Sequence, residues 1–248
     1  MRAEENTEGE DEIDGELEDE PPATVQRTPT VLLLDTSYSM TRESRNQSGE
    51  KKEDIEHVID GLSYFKDELG KVDHAKTRVD VAIFSFGGDV SVAQDPISFD
   101  GWNPEDLDFE ATGNTPMGEA IQKGIKMVEK MKSSHRSDGI PVNRPLIWLL
   151  TDGEPTDMDE GDQTWNHVQD LLDEGTTDKH FKFFAMGVGG DANMDVLDSL
   201  VSVTDEEAIH LAEGNFIEFF QILSNSLDDH SDETNENEPS AQRPTSSN

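Results

Sequence analysis

Residues 28–39 read TPTVLLLDTSYS, and the fold turns on how this stretch is read. The apolar run over 30–34 is β-type and unbroken by polar residues, the pattern of a strand covered on both faces. It stops at Asp35-Thr36-Ser37-Tyr38-Ser39, an acid followed by hydroxyls two and four residues on. A second stretch, LIWLLTDG at 146–153, also ends an apolar run in an acid, Asp152. Between them, Ile55, Val58, Ile59, Leu62, Phe65 and Leu69 recur at helical spacing, which predicts a helix from about 49 to 69 with Gly70 as its stop. The run 79–86 is a strand that turns at Gly87-Gly88 into a short segment around 90–92. The loop with Pro96, Gly101, Trp102 and Pro104 is too broken for regular structure. Thr115-Pro116 opens a helix in which Met117, Ile121, Ile125, Val128 and Met131 share one face.

After the run 146–150 the pattern gives a helix near 163–174, a strand over 181–188, a short helix over 194–201 and an edge strand over 208–211. A closing helix carries Phe216, Phe219, Phe220, Leu223 and Leu227. Strands alternating with helices predict an α/β, doubly wound, Rossmann-like fold, with a mostly parallel central sheet of about six strands flanked by helices. In such sheets ligands bind beyond the carboxyl ends of the strands.

The chain has 248 residues, 32% hydrophobic and 30% charged, which is enough for one such domain with length to spare. Residues 1–27 and 229–248 are acidic and polar and cannot bury enough to fold, so they read as solvated tails around a domain at 28–228. The absence of Cys excludes disulfides, thiolate metal sites and a Cys nucleophile. Apolar runs are strand-sized, far short of a membrane helix, and acid stands where a signal peptide would carry Lys or Arg. The expectation is a soluble cytoplasmic protein.

Residues 1–24 hold eleven acids and one Arg, and residues 228–248 six acids and one Arg, so of the net −37 the middle of the chain still carries −22. Self-repulsion on that scale is tolerable where salt is abundant, since the Debye length at ~1 M is about 3 Å. The composition therefore reads as a halophile's. No basic stripe exists to displace counterions from phosphates, which argues against nucleic-acid binding.

Asp35, Ser37 and Ser39 end the first strand, Asp152 ends a central one, and Thr115 follows Thr112-Gly113-Asn114 at a helix start. Two carboxylates with three hydroxyls suit a hard divalent cation, Mg²⁺ or Mn²⁺. With only two anionic ligands the ion stays electron-poor, and an open position attracts a carboxylate from outside. The bland readings are a loop cap for Ser37 and Ser39, an N-cap for Thr115 and a turn at Asp152-Gly153. Asp157 and Asp159 are candidates to replace Asp152, though they lie farther from the strand end.

This constellation resembles the metal-ion-dependent adhesion site of von Willebrand factor A (vWA) domains, and the resemblance runs over roughly 28–227. It implies that Ser37 and Ser39 ligate the ion through their hydroxyls. Asp35 and Asp152 hold it directly or through water, and Thr115 joins when a ligand is engaged. The stretches TGNTPMGEAI at 112–121, LLTDGEPTD at 149–157 and FAMGVG at 184–189 are similar to bacterial TerY-like proteins. Those are cytoplasmic vWA proteins linked to tellurium resistance and stress, often accompanied by a protein kinase and a phosphatase. Their usual Gly-Gly-Thr is here Gly113-Asn114-Thr115.

The resemblance implies a non-catalytic, metal-dependent protein-interaction module whose partner supplies an acidic residue. A vWA subunit of an AAA+ ATPase machine is compatible with the same site. The enzyme alternative is a haloacid-dehalogenase-like phosphohydrolase with Asp35 as nucleophile, but Ser37 stands where that chemistry needs a general acid. Gly187-Val188-Gly189-Gly190-Asp191-Ala192 imitates a dinucleotide-binding turn, with acids where a pyrophosphate would sit. The seven His are scattered and form no zinc motif. Tyr38 and Trp102 are candidates for the rim of the site, with loop packing the competing role for Trp102.

Overall fold

β1 (Thr28–Asp35) is buried over all eight residues and lies inside the sheet, because a run that is apolar on both faces must be covered from both sides. The computed structural model describes residues 25–45, 51–71, 75–190 and 192–211. The expected closing helix over 216–227 and the acidic stretches 1–24 and 229–248 lie outside the described residues. After β1 come β2 (Glu43–Arg45), β3 (Lys51–Glu53), α1 (Asp54–Leu69), the helical turn α2 (Ala75–Arg78), β4 (Val79–Gly87) and β5 (Asp89–Ser98). Then follow α3 (Met117–Ser137), β6 (Leu146–Thr151), α4 (Gln163–Thr177), β7 (Lys182–Val188), α5 (Met194–Val201) and β8 (Ile209–Leu211).

The main sheet has six strands in the order β5-β4-β1-β6-β7-β8. β1 pairs in parallel with β4 and β6, β7 with β6 and β8, and only β5 runs antiparallel, against β4. This is the mostly parallel, doubly wound, Rossmann-like fold that the alternation of elements predicts. The chain goes from β1 to β4 on one side and later crosses to β6 on the other. The strand order therefore reverses at β1, and the crevice beyond the carboxyl ends of β1 and β6 is the switch point.

Alternating side chains of β1 feed two cores. Leu32 and Leu34 pack with Ile55, Val58, Leu62 and Phe65 of α1 on one face. Val31 and Leu33 pack with Ile121 and Val128 of α3, and this face continues under Trp165 and Leu172 of α4 and Leu197 of α5. Trp148 of β6 stacks on Phe184 of β7 at 4.0 Å between ring centroids. No helix among the described residues is long and apolar enough to cross a membrane.

Several local expectations shift. α1 begins at Asp54 rather than near 49, since the charged residues Lys51–Glu53 have no apolar position to hold a helix on the sheet and pair instead with Glu43–Arg45. The short segment at 90–92 extends into β5 over Asp89–Ser98, with Pro96 tolerated because β5 is an edge strand. The loop after it contains two 3₁₀ turns, Phe99–Gly101 and Pro104–Asp106. Arg27, read as tail, bridges to Val142 and pairs with Asp80.

Candidate metal centre

Asp35 is the last residue of β1 and fully buried. Its Oδ1 accepts the backbone N–H of Ser37 at 2.7 Å, and its Oδ2 accepts the hydroxyl of Thr151 at 2.5 Å. The register places Leu34 opposite Leu150, so the next residues, Asp35 and Thr151, end their strands side by side. Burial pushes the Asp35 carboxyl up to about 6; the Thr151 and Ser37 hydrogen bonds oppose this, and the nearby negative charge of Asp152 adds to it. Ser37 and Ser39 follow in a turn that brings their Oγ atoms to 2.9 Å from each other.

Three loops are stitched together by main-chain hydrogen bonds. Thr112 N–H donates to Thr36 C=O at 2.8 Å, and Tyr38 N–H donates to Gly113 C=O at 3.0 Å. Gly88 N–H donates to Asn114 C=O at 2.7 Å. Gly113 has φ +71°, and a Cβ there would lie 2.6 Å from Gly88 Cα, so only glycine permits this approach. Thr115 is pinned to the loop after β6: its N–H donates to Thr156 Oγ1 at 3.0 Å, and its C=O accepts Thr156 N–H at 2.9 Å.

Ser39, Thr115 and Asp152 line one cleft of about 330 Å³, together with Arg42, Glu154, Thr156 and Asn193. Asp35 and Ser37 do not line it but are buried and linked to Ser39 and Thr151 by the hydrogen bonds given above, with Asp35 close enough to feel the charge of Asp152. All five residues singled out from sequence, Asp35, Ser37, Ser39, Thr115 and Asp152, thus fall within one neighbourhood at the switch point. Among the described residues no three His, Asp or Glu side chains gather as a cage. A donor set here must rest on hydroxyls beside two carboxylates.

Asp152 gives the strongest indication of fit for a cation. It is 8% exposed, and its Oδ2 is buried without a hydrogen-bond partner among the described residues. The Arg42 guanidinium faces this oxygen at 3.8 Å, beyond hydrogen-bonding distance. A buried anionic oxygen left unbonded is costly unless a cation completes it. Asp35, Ser37, Ser39, Thr115 and Asp152 together form an oxygen-only set that suits Mg²⁺ or Mn²⁺.

Thr151, which orients Asp35, was not legible as a site residue, whereas Asp157, a candidate from sequence, caps α3 by accepting the N–H groups of Gly118 and Glu119 at 3.0 and 2.8 Å. Asp157 is therefore committed to the helix start and does not replace Asp152. It also takes over the capping expected of Thr115, since Pro116 is the cap residue and makes no side-chain cap. Asp54 is buried at the start of α1, accepts the Ser44 hydroxyl at 2.5 Å, and is held above the usual carboxylate range chiefly by burial.

Tyr38 is 70% exposed and follows Ser37 in the chain, though it is not among the residues lining the cleft. Trp102 is buried against Phe65 and Phe99, so packing is its role. The turn after β7, with Gly189 at φ +85°, leads into α5. Asp35 is a poor nucleophile in this setting, because both its oxygens are hydrogen-bonded and neither is exposed.

Compared with curated proteins, the chain finds no match. Among solved structures it is similar to the PilB minor pilin from Streptococcus sanguinis, with 13% identity, a TM-score of 0.57, and coverage of 85% of this chain and 62% of that one. It is also similar to a von Willebrand factor type A protein from Catenulispora acidiphila, at 14% identity and TM-score 0.55, over 80% of this chain and 42% of that one. The manganese-loaded TRAP protein of Plasmodium vivax matches at 14% identity and TM-score 0.50, over 79% and 74%. These likenesses concern the fold. The model of the von Willebrand factor type A domain family matches residues 30–222, from β1 past β8, and the chain belongs to that family.

Proposed function

We propose that this chain is a non-catalytic protein-interaction module that works through a divalent cation, Mg²⁺ or Mn²⁺, held by Asp35, Ser37, Ser39, Thr115 and Asp152. The observation that carries the reading is the buried, unbonded Oδ2 of Asp152, at the sheet's switch point and in one cleft with Ser39 and Thr115. The bound ion would supply an electropositive centre that a partner's Asp or Glu completes. Around it the chain's own residues do the rest. Thr151 and the Ser37 N–H fix the Asp35 carboxylate, while the Thr156 contacts fix the Thr115 loop. Tyr38 offers an exposed aromatic surface next to the serines. That the similar TRAP structure is manganese-loaded supports the choice of metal.

A chain of net charge −37 would otherwise repel an acidic partner, so the cation also solves an electrostatic problem. The loop motifs shared with TerY-like proteins support a role in a cytoplasmic stress-response or tellurium-resistance-linked system, with a kinase, phosphatase or ATPase as companion. The acidic composition supports a halophilic setting. The test is a pull-down with the full chain in Mg²⁺ and in EDTA, repeated with Ser37→Ala/Ser39→Ala. Recovery of a partner in Mg²⁺ alone, lost in the variant while its melting temperature in EDTA is unchanged, supports the reading. Equal recovery in both buffers overturns it.

A further inference from the structure

Arg42 is fixed in its backbone and loose in its side chain. Its N–H donates to Ser39 C=O at 3.0 Å, and its C=O accepts the N–H of Asp54 at 2.8 Å, so its Cα is tied to both the serine turn and the start of α1. The side chain is 56% exposed and has no side-chain hydrogen bond among the described residues; Asp152 Oδ2 lies 3.8 Å from the guanidinium, and Asp54 also feels its charge. That distance gives attraction without a directional bond. Arg42 lines two clefts on either side of Asp152, the larger with Ser39 and Thr115, the smaller with Ser44 and Asp54. Arg42 thus borders Asp54 as well as Asp152.

We propose that Arg42 is a tethered cation that stands in at Asp152 when no metal ion is bound and competes with a divalent cation for that carboxylate. The proposal rests on the metal-binding reading of the same cleft. Asp35 at the end of β1, Asp152 after β6 and Asp54 at the start of α1 are all buried, and Asp152 repels the other two, so a cation must offset them while the ion is absent. Arginine has the right properties for this role. It remains charged at any working pH, is more weakly hydrated than an ammonium, and is too broad and planar to become a coordinated ion itself. Once a divalent ion is in place, two positive charges a few ångströms apart repel, and the guanidinium is released to the rim.

The experiment is calorimetric titration of the chelator-stripped full chain with Mn²⁺ and with Mg²⁺, in low salt and in molar KCl. It compares wild type, Arg42→Gln, Arg42→Lys and, as a remote charge control, Lys130→Gln. Arg42→Gln is expected to bind the ion roughly three- to tenfold more tightly in low salt, with the gap closing in molar KCl. Arg42→Lys falls between, and Lys130→Gln, on the far side of α3, matches wild type. In EDTA the Arg42→Gln chain melts about 2 °C or more below wild type, since Asp152 has lost its counter-charge. A wild type that binds metal while Arg42→Gln binds no more tightly overturns this proposal alone. A wild type and variants that all take up no metal overturn the metal-site reading and this proposal with it.

Discussion

At the amino ends of the strands Asp80 is 5% exposed, and at the carboxyl ends Asp152 is 8% exposed, yet the two carboxylates are treated in opposite ways. Asp80 accepts Arg27 Nε at 2.9 Å, pairs with the same guanidinium through its second oxygen, and meets His135 Nε2 at 2.8 Å. Asp152 has a buried oxygen with no hydrogen bond and an arginine out of reach of one. A third acid, Asp35, lies beside it with its charged form disfavoured by burial. The base of the sheet is satisfied by the Arg27 guanidinium and the His135 contact, and reads as structure. The top is left short of positive charge, which is the condition for a binding site.

Breaking the closed end should have the largest effect. Arg27→Ala leaves Asp80 buried with His135 alone, and urea denaturation should show a loss of about 3 kcal/mol, with metal affinity unchanged. Filling the open end is the next largest effect. At a metal concentration a hundredfold above Kd the wild type should gain about 2.7 kcal/mol in the same assay, and Ser37→Ala/Ser39→Ala should gain nothing while matching wild type in EDTA.

The third prediction concerns Asp35, whose carboxyl is raised from 3.8 to about 6 in the folded chain. The proton is bound more tightly by the folded state, so the stability it contributes is full below about pH 4 and is lost as pH rises through about 6. In EDTA, wild type minus Asp35→Asn should therefore fall by on the order of 2 kcal/mol between those limits. A flat difference would show that burial does not disfavour the charged form of Asp35. The smallest effect tests whether Asp157 belongs to the helix and not to the metal. Asp157→Ala should cost about 1 kcal/mol through loss of the α3 cap and leave the Kd for Mn²⁺ within a factor of two or so.

Much of the open end is legible in the chain itself. Asp35 ends its apolar strand and Asp152 comes one residue after the end of another, and a strand inside a parallel sheet delivers its carboxyl end to the ligand-binding edge. Ser37 and Ser39 come with Asp35 because they are two and four residues away. Asp80, Arg27 and His135 were not legible as a group: 53 residues separate the first two, and a lone acid early in a strand carries no pattern. Asp157 was misleading for the same reason, since it lies five residues past Asp152 yet its partners are the N–H groups of Gly118 and Glu119, 39 and 38 residues away.

By itself the sequence determined the order and type of the main strands and helices, though not the β2–β3 hairpin or α2, together with the acids at the strand ends and the negative charge of the whole. These follow from periodicity and composition, which are local properties of a chain. Only the tertiary structure decided which acid is satisfied and which is not, because that depends on partners brought together across the sheet: Thr151 to Asp35, Arg27 and His135 to Asp80, and Arg42 within 3.8 Å of Asp152 but no closer. Burial and unpaired charge are pairwise quantities, fixed by distances that the fold alone sets.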